Sequence, residues 1–308
     1  MSTATETDYG HDLLFGTFVT PTNRPVHQAI EQAVVADRAG LDLVTFQDHP
    51  YVSGFHDTST LLAYAAARTE RIHLSANVTN LPLRPPAVLA RAIATLDLLS
   101  GGRIELGIGA GAFWDGVVGM GGPRLTPGQS IEALGEALAI IRGIWDTSDR
   151  SILSLHGKHY DVHGAKRGPA PAHQVGIWVG AYKPRILRLV GRTADGWLPS
   201  MQYLPNGLPE LTAMNRHIDE AAHGAGRAPS DIRRFLNIAG HFTTQRRGFL
   251  QGPPDQWVEE LSEVALTYGT SGFILASDDA TLTETFAAEV APGVRKLVDE
   301  ARGTDRHD

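Results

Sequence analysis

Gly40-Leu41-Asp42-Leu43-Val44-Thr45-Phe46-Gln47-Asp48-His49-Pro50 is the stretch whose reading decides the fold. Upstream of it, Val26, Ala29, Ile30, Ala33 and Val34 recur at helical spacing, and Gly40 supplies a left-handed stop. Leu41–Phe46 then reads as a buried strand running into the polar Gln47-Asp48-His49. The same unit recurs along the chain. Strands are expected at 13–19, 41–46, 71–78, 103–108, 175–180, 195–199, 233–242 and 272–276. Helices are expected at 58–68, 86–99, 128–145, 183–192, 208–224, 254–268 and 281–302, the last bent by Pro292-Gly293. Parallel strands need crossover helices, and eight such units close into an α/β (β/α)₈ TIM barrel. A doubly wound open sheet is the structural alternative, but eight uniform units favour closure.

The expected layout is a single barrel domain at 13–302 between polar tails at 1–12 and 303–308. An excursion at 146–174, before the fifth strand, is too polar and too rich in Gly and Pro to be barrel wall. Interruptions longer than ~15 residues are usually functional, so a water-excluding lid is expected there.

Composition narrows the function. The chain has 308 residues, 27 Lys and Arg against 34 Asp and Glu, a net charge of −7 and no cysteine. Disulfides, thiol nucleophiles and iron–sulfur sites are thereby excluded. An acidic balance without a basic run argues against nucleic-acid binding. No apolar stretch approaches the ~20 residues that span a bilayer. The start of the sequence lacks a signal-peptide layout, and a cytoplasmic enzyme is expected.

Barrel chemistry sits just beyond the strands, at the C-terminal face. The second strand delivers Asp48 and His49, the third Asn77, Val78, Thr79 and Asn80, and the fourth the run Gly107 to Asp115. The fifth delivers Gly180-Ala181-Tyr182-Lys183, the sixth Ser200, Met201 and Gln202, the seventh His241 and the eighth Ser277. Gly107-x-Gly109-x-x-Ala112 formally fits a dinucleotide fingerprint, but it follows a fourth strand and no helix is expected within it. It reads either as a tight turn at the barrel rim or as a bed for a flat ring, walled by Phe113 and Trp114. Gly180-Ala181-Tyr182-Lys183-Pro184-Arg185 reads either as a phosphate cradle or as a plain strand-to-helix turn. His49, with an ordinary pKa of about 6.5, is a candidate acid–base beside Asp48. Asp48, His49, His56 and Asp57 could instead form a metal cluster for a barrel hydrolase, although their spacing fits no standard motif; no metal is expected. His73, His163, His173, His217 and His223 read as structural.

Taken together these segments resemble the bacterial luciferase-like family of flavin- and deazaflavin-dependent oxidoreductases. The carriers are Ala39-Gly40-Leu41-Asp42 leading to Gln47-Asp48-His49, Leu74-Ser75-Ala76-Asn77-Val78-Thr79-Asn80, and Leu98-Leu99-Ser100-Gly101-Gly102-Arg103 leading to Gly107-Ile108-Gly109-Ala110-Gly111. Ala194-Asp195-Gly196-Trp197 and Glu289-Val290-Ala291-Pro292-Gly293-Val294 complete the set. The resemblance implies a (β/α)₈ barrel that moves a hydride between F420, slightly favoured, or FMN and a small organic substrate. It implies cofactor-binding roles for Asp48, Asn77, Val78, Thr79, Gly109, Gly111, Ala112, Asp115, Gly180, Ala181 and Tyr182. A cis peptide at Asn77-Val78 would support the back of the ring. Asp48 and His49 would be catalytic, and Phe113, Trp114 and Met201 would line the substrate pocket.

A homodimer is implied by the family alone. Sugar-phosphate dehydrogenases of the family carry a glutamate where this chain has Ala112. An alanine transfers no proton, which argues against that substrate class. The alternative within the family is an FMN monooxygenase fed by a partner reductase and using O₂. Outside it stand the metal hydrolase and a non-catalytic barrel.

Overall fold

The computed structural model describes residues 8–303. Eight parallel strands form the wall: β1 (Leu14–Val19), β2 (Leu43–Phe46), β3 (His73–Ala76), β4 (Ile104–Gly109), β5 (Ile177–Val179), β6 (Gly196–Trp197), β7 (Arg233–Ile238) and β8 (Gly272–Ala276). Each pairs with its sequence neighbour, and β1 pairs with both β2 and β8, so the sheet closes on itself. Leu14 to Phe18 run in register with Gly272 to Ala276. After Ala76 the third strand breaks, and Thr79–Asn80 resumes the ladder beside Ile108 and Gly109. The TIM-barrel expectation holds.

The helices are α1 (Gln28–Ala39), α2 (Thr58–Ala66), α3 (Pro86–Ser100), α4 (Trp114–Gly119), α5 (Pro127–Trp145), α6 (Pro184–Thr193), α7 (Glu210–Gly224), α8 (Pro254–Tyr268), α9 (Ala280–Thr285) and α10 (Ala291–Ala301). Gly40 ends α1 at φ +92°, as its left-handed preference requires. Near the C-terminus the bend precedes the proline: Phe286–Val290 is a π-helical turn, and Pro292 sits in the first turn of α10. Pro25 lies outside α1, which starts three residues later. The short α4 was not expected. It begins inside the glycine-rich run, so the absence of a helix there is no argument against a dinucleotide fingerprint; barrel closure is.

Two apolar layers hold the wall. The larger lies between strands and helices; the smaller fills the barrel with Leu43, Trp178, Leu198, Phe235 and Ile274. Glycines make room for the large rings there. A Cβ on Gly272 would lie 2.2 Å from a ring carbon of Phe235, and one on Gly196 would lie 2.5 Å from Trp178. Trp178 and Phe235 already pack at 4.4 Å between centroids, so neither can give way. Gly272→Ala is therefore expected to cost about 1–3 kcal/mol through overpacking. Urea denaturation should show a lower midpoint, and adding Phe235→Leu should recover much of the loss.

Two layout expectations need correction. The 146–174 segment is not a lid. It connects the C-terminal end of α5 to the N-terminal end of β5, so it leaves from the barrel face opposite the strand ends that carry the chemistry. The Gly168 N–H donates to Ile144 O (2.6 Å), Arg167 to Gly143 O (2.5 Å) and the Ala172 N–H to Asp97 (2.8 Å), all on that side. Its hairpin, Leu153–His156 with Asp161–Ala165, then climbs α5, where Glu136 accepts the N–H groups of Lys158, His159 and Tyr160. The polar stretch expected as a tail at 1–12 packs on the barrel from Asp8 onward. Asp8 takes a two-point grip from Arg302 (2.7 Å each), and Arg234 lies over the Tyr9 ring. Residues 1–7 and 304–308 lie outside the described residues.

Candidate active site

β2 carries Asp48 to the C-terminal mouth and buries it at 3 % exposure. Both its oxygens are engaged. Arg84 donates from Nε and Nη2 (2.8 Å each), and the Asn80 N–H donates at 2.9 Å. Arg84 also reaches Asp57 (2.8 Å), whose carboxylate caps α2 by accepting from the Thr60 N–H. Burial works against the Arg84 charge, but the hydrogen bonds and charges of Asp48 and Asp57 outweigh it and raise the guanidinium pKa. Asp48 thus ties the end of β2 to the resumed third strand. A guanidinium stands between Asp48 and Asp57, and His56 is turned to the Val26 carbonyl. The four residues of the hydrolase reading therefore do not converge as metal ligands.

His49 is half-buried beside Asp48. Its Nδ1 lies 2.6 Å from the Tyr51 hydroxyl, and Phe113 meets its ring edge-on at 5.4 Å. Burial lowers the imidazole pKa, opposed in part by the Asp48 charge; burial and the same charge raise that of Tyr51. Tyr51 is seated by α4: a Cβ on Gly116 would come within 2.6 Å of its ring, so only glycine lets the helix lie there. Phe113, just before α4, adopts φ +53° and is 61 % exposed, an aromatic face offered at the mouth.

The peptide Asn77-Val78 is cis. Asn77 donates to Asn237 Oδ1 (2.7 Å), and Asn237 donates to Ser200 Oγ (2.9 Å), forming a polar floor with Thr45. Val78 stays half-buried, its methyls 3.5 Å from where a Cβ on Gly180 would stand and 2.7 Å from one on Gly109. Tyr182 is half-buried with its hydroxyl accepting the Ser200 N–H (2.8 Å), and its ring meets Tyr203 beside the half-buried Met201. Ala181 is buried, with its carbonyl accepting from Trp197 (2.9 Å). Thr79 is buried in the ladder.

Gly111 takes φ +104°, wedged so that a Cβ would strike Pro82 and Trp114. Ala112 is exposed, and Asp115 is almost fully exposed with Arg124 as its ion-pair partner. Arg185 turns outward to Glu132 on α5 (2.9 Å). Sequence reading missed Arg84, Tyr51 and Asn237. An asparagine inside the apolar run of β7 was the available signal for the last; the seventh strand was drawn through His241, but it ends at Ile238. His241 instead pairs with Gln251 in a separate two-residue ladder.

This chain is similar to known proteins. The family model for luciferase-like monooxygenases matches residues 11–247. An F420-dependent glucose-6-phosphate dehydrogenase of Microbacterium testaceum is 27% identical over 305 residues, covering 91% of this chain and 89% of that protein. A solved F420-dependent secondary alcohol dehydrogenase holding an F420-acetone adduct superposes with TM-score 0.79 at 18% identity, over 92% of this chain and 99% of that one. The FMN-bound oxygenating constituent of 3,6-diketocamphane monooxygenase of Pseudomonas putida superposes with TM-score 0.73 at 21% identity, over 92% and 99%. The last two likenesses speak for the fold. The chain belongs to the luciferase-like monooxygenase family.

Proposed function

We propose that this chain is an F420- or FMN-dependent oxidoreductase that moves a hydride between the cofactor and a small organic substrate. The observation that carries this reading is the bed at the centre of the mouth. Val78 offers a half-buried apolar face between Gly109 and Gly180, and His49 packs on the exposed Phe113 at the neighbouring strand ends. A single methyl on Gly180 would fill part of that bed, which fits a flat tricycle lying against bare backbone. Full-length similarity to F420-dependent relatives supports the same reading.

The cofactor, when bound, supplies or accepts the hydride. The chain does the rest. Val78 would support one ring face, Asn77 and Asn237 would hold that support in place, and Ala181 and Tyr182, beyond the bed, would take the phosphate end. Phe113, Trp114 and Met201 shape the substrate side. Asp48 acts as a positioning residue, because Arg84 and Asn80 occupy its oxygens. His49 exchanges the proton that accompanies hydride transfer at a carbonyl or hydroxyl oxygen, with Tyr51 fixing its ring. Ala112 supplies no such proton, so glucose 6-phosphate is not expected to be oxidised, unlike in the Microbacterium relative.

No described helix is long and apolar enough to cross a membrane. The proposal places the enzyme in the cytoplasm as a homodimer, for which Val88, Leu98 and Leu99, all exposed on α3, offer an apolar face. The second reading, an FMN monooxygenase served by a reductase, draws on the family model and the FMN-bound neighbour. The test is anaerobic mixing of protein and reduced F420 with a panel of ketones, imines and electron-poor alkenes. Return of the oxidised deazaflavin absorbance only with enzyme and substrate together is expected. Inactivity with F420, combined with substrate-dependent oxygen uptake on reduced FMN, would replace this reading with the second.

A further inference from the structure

At the opposite end of the barrel from the mouth, three strand starts bring His73, Glu105 and His173 together. His73 opens β3, Glu105 is the second residue of β4, and His173 lies just before β5. His73 Nδ1 and His173 Nε2 each stand 3.3 Å from the same oxygen, Glu105 Oε1, and the donor atoms of all three residues lie within 4.8 Å of one another. The two imidazoles are steeply inclined, 82° between planes.

We propose that these three residues bind a divalent zinc ion that clamps the N-terminal ends of β3, β4 and β5. Three observations carry this. Charge-assisted hydrogen bonds between imidazole and carboxylate close to about 2.7–2.9 Å, and both contacts here are longer. Two ligands at about 2.0–2.1 Å from a tetrahedral zinc are separated by about 3.3 Å, the spacing found between Glu105 Oε1 and each imidazole nitrogen. Two of the three ligands, His173 and Glu105, are also oriented from behind.

Asp97, fully buried on α3, lies 2.9 Å from His173 Nδ1 and accepts the N–H groups of Ile104 and Ala172. A carboxylate that accepts a hydrogen bond from Nδ1–H leaves the Nε2 lone pair aimed at Glu105, the carboxylate–histidine–metal arrangement. The second oxygen of Glu105 is held by the Gly176 N–H (2.6 Å), which leaves Oε1 for the ion. The nearby cation Arg233 is engaged elsewhere, donating to the Asp12 and Ser271 carbonyls. Two imidazoles and one carboxylate suit zinc among the available divalent ions, and the partly exposed His73 leaves room for a water as fourth ligand.

The opposing account is an ion-paired triad in which a proton on His173, favoured first by Glu105 and then by Asp97, takes the place of the metal. Zinc titration of the whole, chelator-treated protein separates the two. The expected result is one tight zinc per chain, micromolar or better, with Tm raised on the order of 5 °C at a hundredfold excess over Kd. His73→Ala should weaken that binding at least about tenfold. It should leave the circular dichroism spectrum and hydride transfer unchanged, because the site lies away from the mouth.

His156→Ala should leave the tight site intact. It removes a ligand from the exposed trio His156, Asp161 and His163 on the hairpin, a second place among the described residues where zinc could lodge. Cobalt(II) added to the unaltered chain should give the intense visible bands of a tetrahedral site, a readout that needs no variant. Absence of zinc binding at millimolar metal would overturn the proposal, as would tight binding that survives His73→Ala or disappears with His156→Ala.

Discussion

Arg84→Met is expected to destabilise the protein by about 3–5 kcal/mol, the cost of leaving a buried carboxylate without its partner. Asp48 is 2 % exposed at its side chain, and Arg84 supplies two of the three hydrogen bonds that neutralise it. The exposed ion pairs of this chain, such as Lys296 with Glu300, belong to a different regime and should each matter by less than about 1 kcal/mol. The effect of Arg84→Met should reach beyond stability, since Asp48 also anchors the Asn80 N–H and so the segment that carries Val78. Cofactor affinity should fall with it.

The double variant Asp48→Asn with Arg84→Met tests the cause. Asparagine keeps an acceptor for the Asn80 N–H but carries no charge, so much of the lost stability should return. Urea denaturation of the two single variants and the double variant completes the cycle. An Arg84→Met variant within 1 kcal/mol of the parent, on the order of a bare surface pair, would contradict this account of the site.

His49→Ala is expected to lower kcat by about 10²–10⁴-fold, the usual contribution of a positioned acid–base. The Kd for cofactor should change far less, because the proposed bed is made by Val78, Gly109 and Gly180. The pH profile gives the sign. Burial lowers the His49 pKa from its ordinary 6.5, so the neutral base persists to lower pH than a free imidazole would. In the direction of alcohol oxidation, where His49 accepts a proton, the rate should hold steady from neutrality and fall only below about pH 6.5. The acid limb should vanish in His49→Ala. Tyr51→Phe, which removes the 2.6 Å contact but leaves the ring, should have a smaller effect on kcat and shift the limb.

Much of the barrel could be read from periodicity. The strand over Gly272–Ala276 and the helix over Pro254–Tyr268 have the bounds that the apolar pattern gives, because glycine and proline punctuate both. The excursion at 146–174 was misjudged for a reason of topology. Its length suggested function, but a segment that follows a helix and precedes a strand emerges at the N-terminal face. Position at the mouth was legible where a residue follows directly on a strand, as Asp48 and His49 do. It was not legible where the partner is remote: Arg84 lies 36 residues beyond Asp48, and Asn237 lies 160 beyond Asn77. Pairings of that kind are made by closure of the barrel. The trio of His73, Glu105 and His173 is the clearest case, since three unremarkable positions become neighbours only when β3, β4 and β5 line up.

The most direct test of the central claim is a titration of purified protein with oxidised F420 and, separately, with FMN, followed by fluorescence and repeated on a Gly180→Val variant. The account predicts saturable one-to-one binding of at least one of the two, F420 being favoured, and loss of that binding when valine fills the bed beside Val78. Absence of binding to either cofactor at micromolar concentration, or full binding retained by Gly180→Val, would contradict it.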